Sequence, residues 1–407
     1  MNIWIDENIP WKGELFAPLG RVYTFTGRTL KAEDLKQADA LIVRSVTRVD
    51  EELLKFSPCT FVGTATIGED HIDKNFLSQN KITFASAPGS NAQSVAQYIT
   101  SALGWLTEKK NYLTQGKTLG IIGWGHVGRA LEGKARALGM RILRSDPPLA
   151  LQDSQQNENF YPKNHWTSLP EILENSDIIS FHVPLTQTGP FPTFQMASTS
   201  FLKKMKKDAL IINTSRGKVI DTEALSLLAT PPHWILDVYP QEPHPADFLL
   251  DNALLATPHI AGYSTTGKLT ASLMLAKALH QHLQLPGPTS PPFPTPDYDL
   301  FRNKLETLPA WSWASAVQAV YSVYTDFQAF MELRKSKGTP LAFDQYRKNY
   351  PGRLEFSQYS IKQIETIWKT KPPLQTNFEN LSQPTLANFG QKNHSSLDVL
   401  KQLGFGE

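Results

Sequence analysis

The stretch Thr118-Leu-Gly-Ile-Ile-Gly-Trp-Gly-His-Val-Gly-Arg-Ala-Leu131 decides the fold of this chain. It begins with a short apolar run that predicts a buried strand, and the apolar residues at its end recur at helical spacing. Between strand and helix stand Gly123, Gly125 and Gly128. In that setting the first glycine permits a tight turn, the second lets a pyrophosphate approach the backbone, and the third lets helix and strand pack closely. The stretch therefore predicts an α/β unit of Rossmann type that binds a dinucleotide at a helix N-terminus.

An acidic residue downstream indicates which dinucleotide is bound. Asp146 ends the next predicted strand, Arg141–Ser145, and stands 21 residues after Gly125. A carboxylate at this point accepts hydrogen bonds from the adenosine ribose hydroxyls and repels a 2′-phosphate. The sequence therefore predicts NAD as the cofactor, and Arg144 keeps NADP open as an alternative.

Short buried strands alternate with helical segments on both sides of the glycine loop, which is typical of parallel sheets. Near the beginning of the chain, the predicted strands are Asn2–Asp6, Ala40–Val43, Thr60–Gly63 and Ile82–Ala85. A long amphipathic helix begins at about Asn91 and is followed by further predicted strands, namely Thr118–Ile122, Arg141–Ser145, Ile178–His182, Ala209–Asn213, Trp234–Asp237 and Leu254–Ala256. Two α/β units are therefore expected. The polar residues 149–164 lack periodicity and are interpreted as a surface loop.

A proline-rich segment separates these units from the rest of the chain. It spans residues 286–296, directly after a predicted helix at about Leu269–Leu285, and six of its residues are proline. Such a composition is typical of a stiff linker. Residues 297–407 are rich in aromatic side chains and do not repeat the earlier pattern, so a separate small domain is expected there.

Composition narrows the class of protein. The chain has 407 residues, a formal net charge of +2 and a single cysteine, Cys59. So weak a charge predicts neither a nucleic-acid partner nor an anionic membrane. One thiol excludes an internal disulfide and makes a metal site of the zinc type unexpected. With no long apolar run and no signal-peptide pattern, a cytoplasmic protein is expected.

Three polar residues follow three successive predicted strands. Arg216, Glu242 and His259 would all emerge at the carboxyl ends of parallel strands, where open α/β sheets place their sites. An arginine can grip a carboxylate through two parallel hydrogen bonds, and a histidine titrates near neutral pH. A glutamate beside the histidine favours the imidazolium. The set predicts hydride transfer at a 2-hydroxy acid, with His259 as acid and base, Glu242 as its partner and Arg216 as the carboxylate ligand.

Four sequence blocks carry a resemblance to a known family. They are Phe181-His-Val-Pro-Leu-Thr186, Asn213-Thr-Ser-Arg-Gly217, Leu236-Asp-Val238 with Glu242-Pro243, and Thr257-Pro-His-Ile-Ala-Gly262. They resemble the signature of the D-isomer-specific 2-hydroxyacid dehydrogenases. The resemblance implies a flavodoxin-like substrate-binding domain (1–90 and 263–285), a Rossmann-type NAD-binding domain (91–262) and a site in the cleft. The cofactor-binding residues that it implies are Gly123, Gly125, His126, Val127, Gly128, Asp146, His182, Thr214, Ser215, Asp237 and Gly262.

Further blocks resemble members of that family that act on a phosphorylated 2-hydroxy acid and carry an extra C-terminal domain. They are Ile5-Asp-Glu-Asn-Ile-Pro10, Val43-Arg-Ser-Val-Thr47, the loop Val62–Asp73 and Phe343-Asp-Gln-Tyr-Arg-Lys-Asn-Tyr350. The substrate-binding residues expected on this basis are Arg44, Ser45, Thr66 and Tyr263. The resemblance also implies a homodimer formed through a small α+β domain at 297–407, with Arg347 and Tyr350 as candidates to reach the partner subunit's phosphate site. Thr66 and the backbone N–H groups around Ile67-Gly68 are expected to hold the carboxylate, and Glu69 places a negative charge beside this loop.

Two alternatives stay open. The first is a dehydrogenase of the same fold with another substrate, of the phosphoglycerate or glyoxylate type. The second is a non-catalytic protein that senses NAD, because corepressors of this fold keep the same arginine, glutamate and histidine. Turnover is the observation that separates them.

Overall fold

The computed structural model describes residues 1–155, 166–307, 312–369 and 396–406. The chain forms two compact units. The first combines Met1–Ser94 with Gly262–Pro294, and the second combines Val95–Ala261 with Thr295–Glu407. The domain boundaries predicted from the sequence stay predictions, although the chain changes unit close to three of them.

The first unit contains a five-stranded parallel sheet in the order β2-β1-β3-β4-β5. Its strands are β1 (Asn2–Asp6), β2 (Arg21–Phe25), β3 (Ala40–Val43), β4 (Phe61–Thr64) and β5 (Thr83–Ala85). This is the flavodoxin-like order that the sequence predicts. The strand β2 was not among the predicted ones because it lies at the sheet edge and its side chains are mostly half-exposed, so its sequence lacks an apolar run.

Short helices and one long helix cover this sheet: α1 (Lys12–Leu15), α2 (Glu51–Leu54), α3 (Lys74–Gln79) and, later in the chain, α11 (Thr265–His282). Side-chain caps explain several of their starts, since Asp50 accepts from the backbone N–H of Leu53 and Ser264 from that of Gly267. The buried side chains of Leu275 and Leu279 join α11 to the core of the sheet.

The second unit contains a six-stranded parallel sheet in the order β11-β10-β9-β8-β6-β7. Its strands are β6 (Thr118–Ile122), β7 (Arg141–Ser145), β8 (Ile178–Phe181), β9 (Leu210–Asn213), β10 (His233–Leu236) and β11 (Leu255–Ala256). The chain runs from β6 outward to β7 and then returns to the other side of β6 to form β8. This change of direction is the switch point at which doubly wound sheets bind ligands, and the Rossmann-type prediction is confirmed.

The helix α4 (Ala92–Lys110) precedes β6. In the described ranges, six helices connect the strands of this sheet: α5 (His126–Ala137), α6 (Pro147–Gln155), α7 (Leu169–Asn175), α8 (Thr199–Lys204), α9 (Thr222–Leu227) and α10 (Asp247–Asp251). The helix α6 corrects the interpretation of residues 149–164 as a loop. Pro147 suits the first turn of a helix, and Asp146 accepts a hydrogen bond from the N–H of Leu149, so a start signal outweighs the missing periodicity. Residues 156–164 lie outside the described ranges.

The described residues after the proline-rich segment form six further helices: α12 (Tyr298–Glu306), α13 (Trp313–Val320), α14 (Val323–Lys337), α15 (Thr339–Lys348), α16 (Ile361–Lys369) and α17 (Ser396–Gln402). Among the described residues here, β-structure is limited to isolated bridge positions at Arg353, Ser360 and Gly406, so for this part of the chain the expected α+β composition is corrected to a helical one. The amphipathic face of α16 is buried through Ile364 in the same core as Leu119 of β6. Within the described ranges, no helix has the length and apolar character needed to cross a membrane.

Candidate active site

The glycine loop between β6 and α5 has the geometry that a bound dinucleotide requires. Gly123 has a φ of +92°, and a Cβ there would lie 2.5 Å from the carbonyl oxygen of His182. A Cβ on Gly128 would collide with the carbonyl oxygen of Gly123. Gly125, the N-cap of α5, has no atom within 4 Å of the position that a Cβ would take. Two glycines therefore permit close approach within the protein, whereas Gly125 faces open space at a helix N-terminus, where a phosphate can bind.

Asp146 lies directly after β7, next to this loop. Its Oδ2 accepts a hydrogen bond of 2.8 Å from the backbone N–H of Trp124, and its Oδ1 accepts one of 3.2 Å from Leu149. The carboxylate therefore ties the glycine loop to the start of α6. Its predicted bonds to the adenosine ribose stay a prediction, which the placement supports.

Arg144, which kept NADP open, is held by its own chain. One of its Nη atoms lies 3.2 Å from Oε2 of Glu132, and its guanidinium carbon lies 4.9 Å from the ring centroid of Trp124. Its side chain is only 15% exposed. Because the cation is paired with a carboxylate and covered by a ring, the arrangement favours NAD over NADP.

Other predicted cofactor residues surround the same strand ends. Thr214 Oγ1 is buried and has no hydrogen-bond partner among the described residues, which a bound ligand would explain. His182 follows β8, its Nε2 lies 2.9 Å from Ser180 Oγ, and burial lowers its pKa to about 3, so its ring is neutral. His126 is exposed and Val127 half-buried in the first turn of α5. Together with the open space at Gly125, these features fit NAD.

Arg216 lies after β9 in a loop that Asn213 shapes. The Asn213 amide donates to the carbonyl oxygen of Arg216 at 2.9 Å, and its Oδ1 accepts from both the N–H and the hydroxyl of Ser215. A Cβ on Gly217 would collide with the backbone of Tyr239. The backbone on both sides of Arg216 is therefore fixed, and its half-buried side chain stands at the carboxyl edge of the sheet.

His259 and Glu242 form a hydrogen-bonded pair, as the sequence predicts. Nδ1 of His259 donates to Oε2 of Glu242 at 2.7 Å, and Oε1 of Glu242 accepts from the N–H of Tyr239 at 3.0 Å. Burial raises the pKa of Glu242, but His259, the N–H of Tyr239 and the charge of Arg347 together outweigh burial and bring that pKa below its usual value. The pair therefore combines an ionised carboxylate with an imidazole whose Nε2 faces away from it.

Asp237 lies beneath the loop that carries His259. It is 1% exposed, and it accepts hydrogen bonds from the Thr257 hydroxyl at 2.7 Å and from the N–H groups of Ile260 and Ala261, each at 2.8 Å. Burial raises its pKa to about 6, although these bonds and His259 act in the opposite direction. Its contacts within the chain fix the histidine loop, and its expected contact with the cofactor stays a prediction.

The predicted substrate residues Arg44 and Ser45 lie after β3 in the first unit. Nε of Arg44 donates to Oδ1 of Asp6 at 2.9 Å, and Asp6 ends the neighbouring strand β1. The Arg44 side chain is 28% exposed and that of Asp6 is fully buried. Ser45 is exposed. The ion pair therefore orients a partly exposed cation at the carboxyl edge of this sheet.

Thr66 and Tyr263 also belong to the first unit. The Thr66 hydroxyl donates to the carbonyl oxygen of Gly68 at 2.9 Å, so it stabilises the loop in which a carboxylate was expected to bind. Glu69 in that loop is paired with Lys74 at 2.8 Å, and Lys74 thereby compensates its charge. Tyr263 is half-buried beneath the Lys268 ammonium. The predicted contact of Gly262 with the cofactor stays a prediction, and a Cβ at Gly262 would collide with the Asn91 amide.

Arg347 and Tyr350 make contacts within their own chain. The positive charge of Arg347 lowers the pKa of Glu242, and the Tyr350 hydroxyl donates to Asp326 at 2.9 Å. Their predicted action on a partner subunit stays a prediction. Asp326 and Arg353 complete a buried network with Tyr350, and sequence reasoning missed this network because its members contact parts of the chain far away in sequence. Across the described ranges, no group of three or more His, Cys, Asp or Glu side chains is arranged to hold a metal ion.

Comparisons with known proteins agree with this geometry. Residues 91–261 match the family described as D-isomer specific 2-hydroxyacid dehydrogenase, NAD binding domain. The erythronate-4-phosphate dehydrogenase of Aeromonas hydrophila subsp. hydrophila is 40% identical over 373 residues, which cover 89% of this chain and 95% of that protein. The enzyme of the same name from Salmonella arizonae is 37% identical over 370 residues, which cover 89% of this chain and 94% of that protein.

A solved structure extends the comparison to the bound cofactor. The 3-phosphoglycerate dehydrogenase of Entamoeba histolytica, solved with NAD+ bound, is similar with a TM-score of 0.58 and 25% sequence identity. The match covers 70% of this chain and 95% of that one. The doubly wound sheet, the glycine loop and the comparisons together establish NAD as the cofactor of the chain.

Proposed function

The chain belongs to the D-isomer-specific 2-hydroxyacid dehydrogenases, among the members named erythronate-4-phosphate dehydrogenase, and from this we propose that it oxidises 4-phospho-D-erythronate. The product would be 3-hydroxy-2-oxo-4-phosphooxybutanoate, formed in pyridoxal 5′-phosphate (vitamin B6) biosynthesis. The observation that carries the proposal is the pair of His259 Nδ1 and Glu242 Oε2 at 2.7 Å, at the carboxyl edge of the sheet that bears the glycine loop.

Three residues of this edge perform the chemistry. NAD, when bound, supplies the acceptor for the hydride that leaves C2. Nε2 of His259 accepts the proton of the C2 hydroxyl, so that a C–H bond and an O–H bond break as the carbonyl forms. Glu242 stabilises the resulting imidazolium through the bond to Nδ1. Arg216 holds the carboxylate and polarises the developing carbonyl oxygen.

The first unit would bind the rest of the substrate. Arg44 and Ser45, at the end of β3, are proposed to bind the phosphate, because a partly exposed guanidinium oriented by Asp6 presents a fixed positive charge. Thr66 and the backbone beside it are proposed to bind the carboxylate, and Tyr263 to add a hydroxyl donor. The pairing of Glu69 with Lys74 supports this, since it reduces the repulsion that Glu69 would exert on an anion.

The same proposal includes a cytoplasmic homodimer formed through the helices beyond residue 297. The single cysteine supports the cytoplasmic location, and the resemblance of the 343–350 block supports the homodimer. Sedimentation of the purified protein tests the homodimer. A dimer that persists after the helices beyond 297 have been altered on their exposed faces would contradict the assigned interface.

Substrate specificity tests the proposed reaction. NADH formation is followed with purified protein and 4-phospho-D-erythronate, 3-phosphoglycerate or D-lactate, each over a range of concentrations. We expect the highest kcat/KM with 4-phospho-D-erythronate. A preference for either other acid would assign the chain to the phosphoglycerate or lactate type. Binding of NAD without turnover of any 2-hydroxy acid would assign it to the NAD-sensing proteins.

A further inference from the structure

Backbone N–H groups of the loop after β11 donate hydrogen bonds to a buried carboxylate. The N–H groups of Ile260 and Ala261 both donate to the buried carboxylate of Asp237. These two residues directly follow His259, whose φ of +57° is a left-handed conformation that side-chain-bearing residues rarely adopt. Such a conformation persists only where the surroundings fix it, so the contacts of these neighbours matter for the position of the imidazole.

The backbone carbonyl oxygens of the same two residues accept hydrogen bonds from a guanidinium. Nη2 of Arg353 donates to the carbonyl oxygen of Ala261 at 2.6 Å, and Nη1 makes a longer contact of 3.4 Å with that of Ile260. Arg353 lies between α15 and α16 and is 7% exposed. The two-residue segment is therefore held between a buried carboxylate and a buried guanidinium, and charges on both sides of a peptide polarise it and strengthen both sets of bonds.

Arg353 is itself fixed by aromatic side chains. Its guanidinium carbon lies 4.0 Å from the ring centroid of Tyr321, and its Nη1 donates to the hydroxyl oxygen of Tyr350 at 2.8 Å. A buried guanidinium is costly unless its donors are used, and here both Nη atoms donate hydrogen bonds and the Tyr321 ring covers the guanidinium. Its direction toward the histidine loop is therefore a fixed property of the fold.

Asp326, on α14, supplies the buried negative charge of this network. It accepts hydrogen bonds from the hydroxyls of Tyr321, Tyr346 and Tyr350, at 2.8, 2.8 and 2.9 Å. Tyr350 therefore accepts from Arg353 and donates to Asp326, which connects the two charges through one hydroxyl. The network joins three helical segments beyond residue 297 to a single point on the catalytic loop.

We propose that Arg353 is a positioning residue for His259, acting through the carbonyl groups of Ile260 and Ala261. This rests on the proposed function, in which His259 transfers the proton. Loss of Arg353 releases one side of the loop, and His259 can then leave its left-handed conformation and its 2.7 Å bond to Glu242. The helices beyond residue 297 thus form part of the active-site architecture of their own chain, independently of any dimer.

Variants of Arg353 are compared with a matched variant in the same region, beyond residue 297. R353M removes the charge, and R353K keeps a charge that cannot reach both carbonyls and Tyr350 together. Arg334, on α14, is the control, because it bonds Asp247 and Asp251 and is not within the network. We expect kcat of R353M to fall by about tenfold to a hundredfold, as for a displaced catalytic group. R353K should lose less, NAD affinity should be unchanged, and R334M should keep its kcat.

Hydrogen exchange of a peptide that covers residues 257–261 gives a readout independent of turnover. Exchange should be faster in R353M than in the wild type. In R334M it should be unchanged, even if R334M loses as much thermal stability as R353M. If the wild type turns over no substrate, the proposed function fails while the exchange comparison still tests the positioning role. Wild-type exchange in R353M, or an equal loss of kcat in R334M, would overturn the inference. If R353M does not fold, R353K decides, and wild-type kcat and exchange in R353K would overturn it.

Discussion

Nδ1 of His259 lies 2.7 Å from Oε2 of Glu242, and the two residues follow different strands of one parallel sheet. Neither strand places its residue alone. The loop that carries His259 is held by Asp237, which follows the same strand, β10, as Glu242. The acid–base pair is therefore a consequence of the order of β10 and β11 in the sheet.

Replacement of His259 by asparagine should abolish NADH formation, because the asparagine amide is not a base and cannot accept the hydroxyl proton. The affinity for NADH, measured by fluorescence titration, should stay within about twofold of the wild type. His244 provides a matched control, since it is exposed and lies two residues from Glu242. H244N should keep wild-type turnover. Activity in H259N, or its loss in H244N, would show that the acid–base assignment is wrong.

Gly125 is expected to matter for cofactor binding and not for folding. Because no atom lies near its Cβ position, G125A should fold with an unchanged thermal midpoint, and its added methyl group should weaken NAD binding by about tenfold or more. Gly133, on the exposed side of α5, also has open space at its Cβ position. G133A is the control and should bind NAD as the wild type does. Equal NAD affinities in both variants would place the pyrophosphate elsewhere.

Arg44 is expected to determine the affinity for the phosphate. R44M should raise KM for 4-phospho-D-erythronate by about tenfold or more, with a smaller change of kcat, because the contact is present in both ground and transition states. Arg48 is the control, since its side chain is 83% exposed and pairs with Asp50. R48M should leave KM unchanged. An unchanged KM in R44M would mean that another group binds the phosphate.

His182 should make the stability of the cofactor-free protein depend on pH. Burial lowers its folded-state pKa from 6.5 to about 3, so between these values the unfolded chain binds a proton that the folded chain does not. Above pH 6.5 this group does not change the free energy of unfolding with pH. As pH falls below 6.5, the free energy of unfolding decreases by up to about 1.4 kcal/mol per pH unit. Urea unfolding between pH 7 and 5 should show a smaller loss in H182N than in the wild type. H126N, altered at an exposed histidine, should behave as the wild type does.

Local sequence signals were sufficient for much of this structure. Short apolar runs, and the residues that end them, predict the glycine loop, the buried strands and the positions of Arg216, Glu242 and His259. The parallel sheet then brings the ends of its strands together. The edge strand β2 and the helix α6 lacked such signals, because one is half-exposed and the other begins at a cap before a polar segment.

Long-range contacts explain what the sequence could not predict. The helices beyond residue 297 bury Phe301 and Leu305 in one core with the β6–β11 sheet, a packing that the sequence did not indicate. The bonds of Arg353 to Ile260 and Ala261 span more than ninety residues of sequence. No periodic pattern or local motif encodes such a pairing, since it depends on how two distant segments pack.

Single-turnover NADH formation tests the central claim most directly, because it does not require NADH to leave the protein. The enzyme is mixed in excess of NAD with a saturating concentration of 4-phospho-D-erythronate, and absorbance at the NADH band is followed in the wild type and in H259N. The account predicts that the wild type converts its bound NAD to NADH and that H259N, with NAD bound equally well, does not. Bound NAD that stays oxidised in the wild type would contradict it.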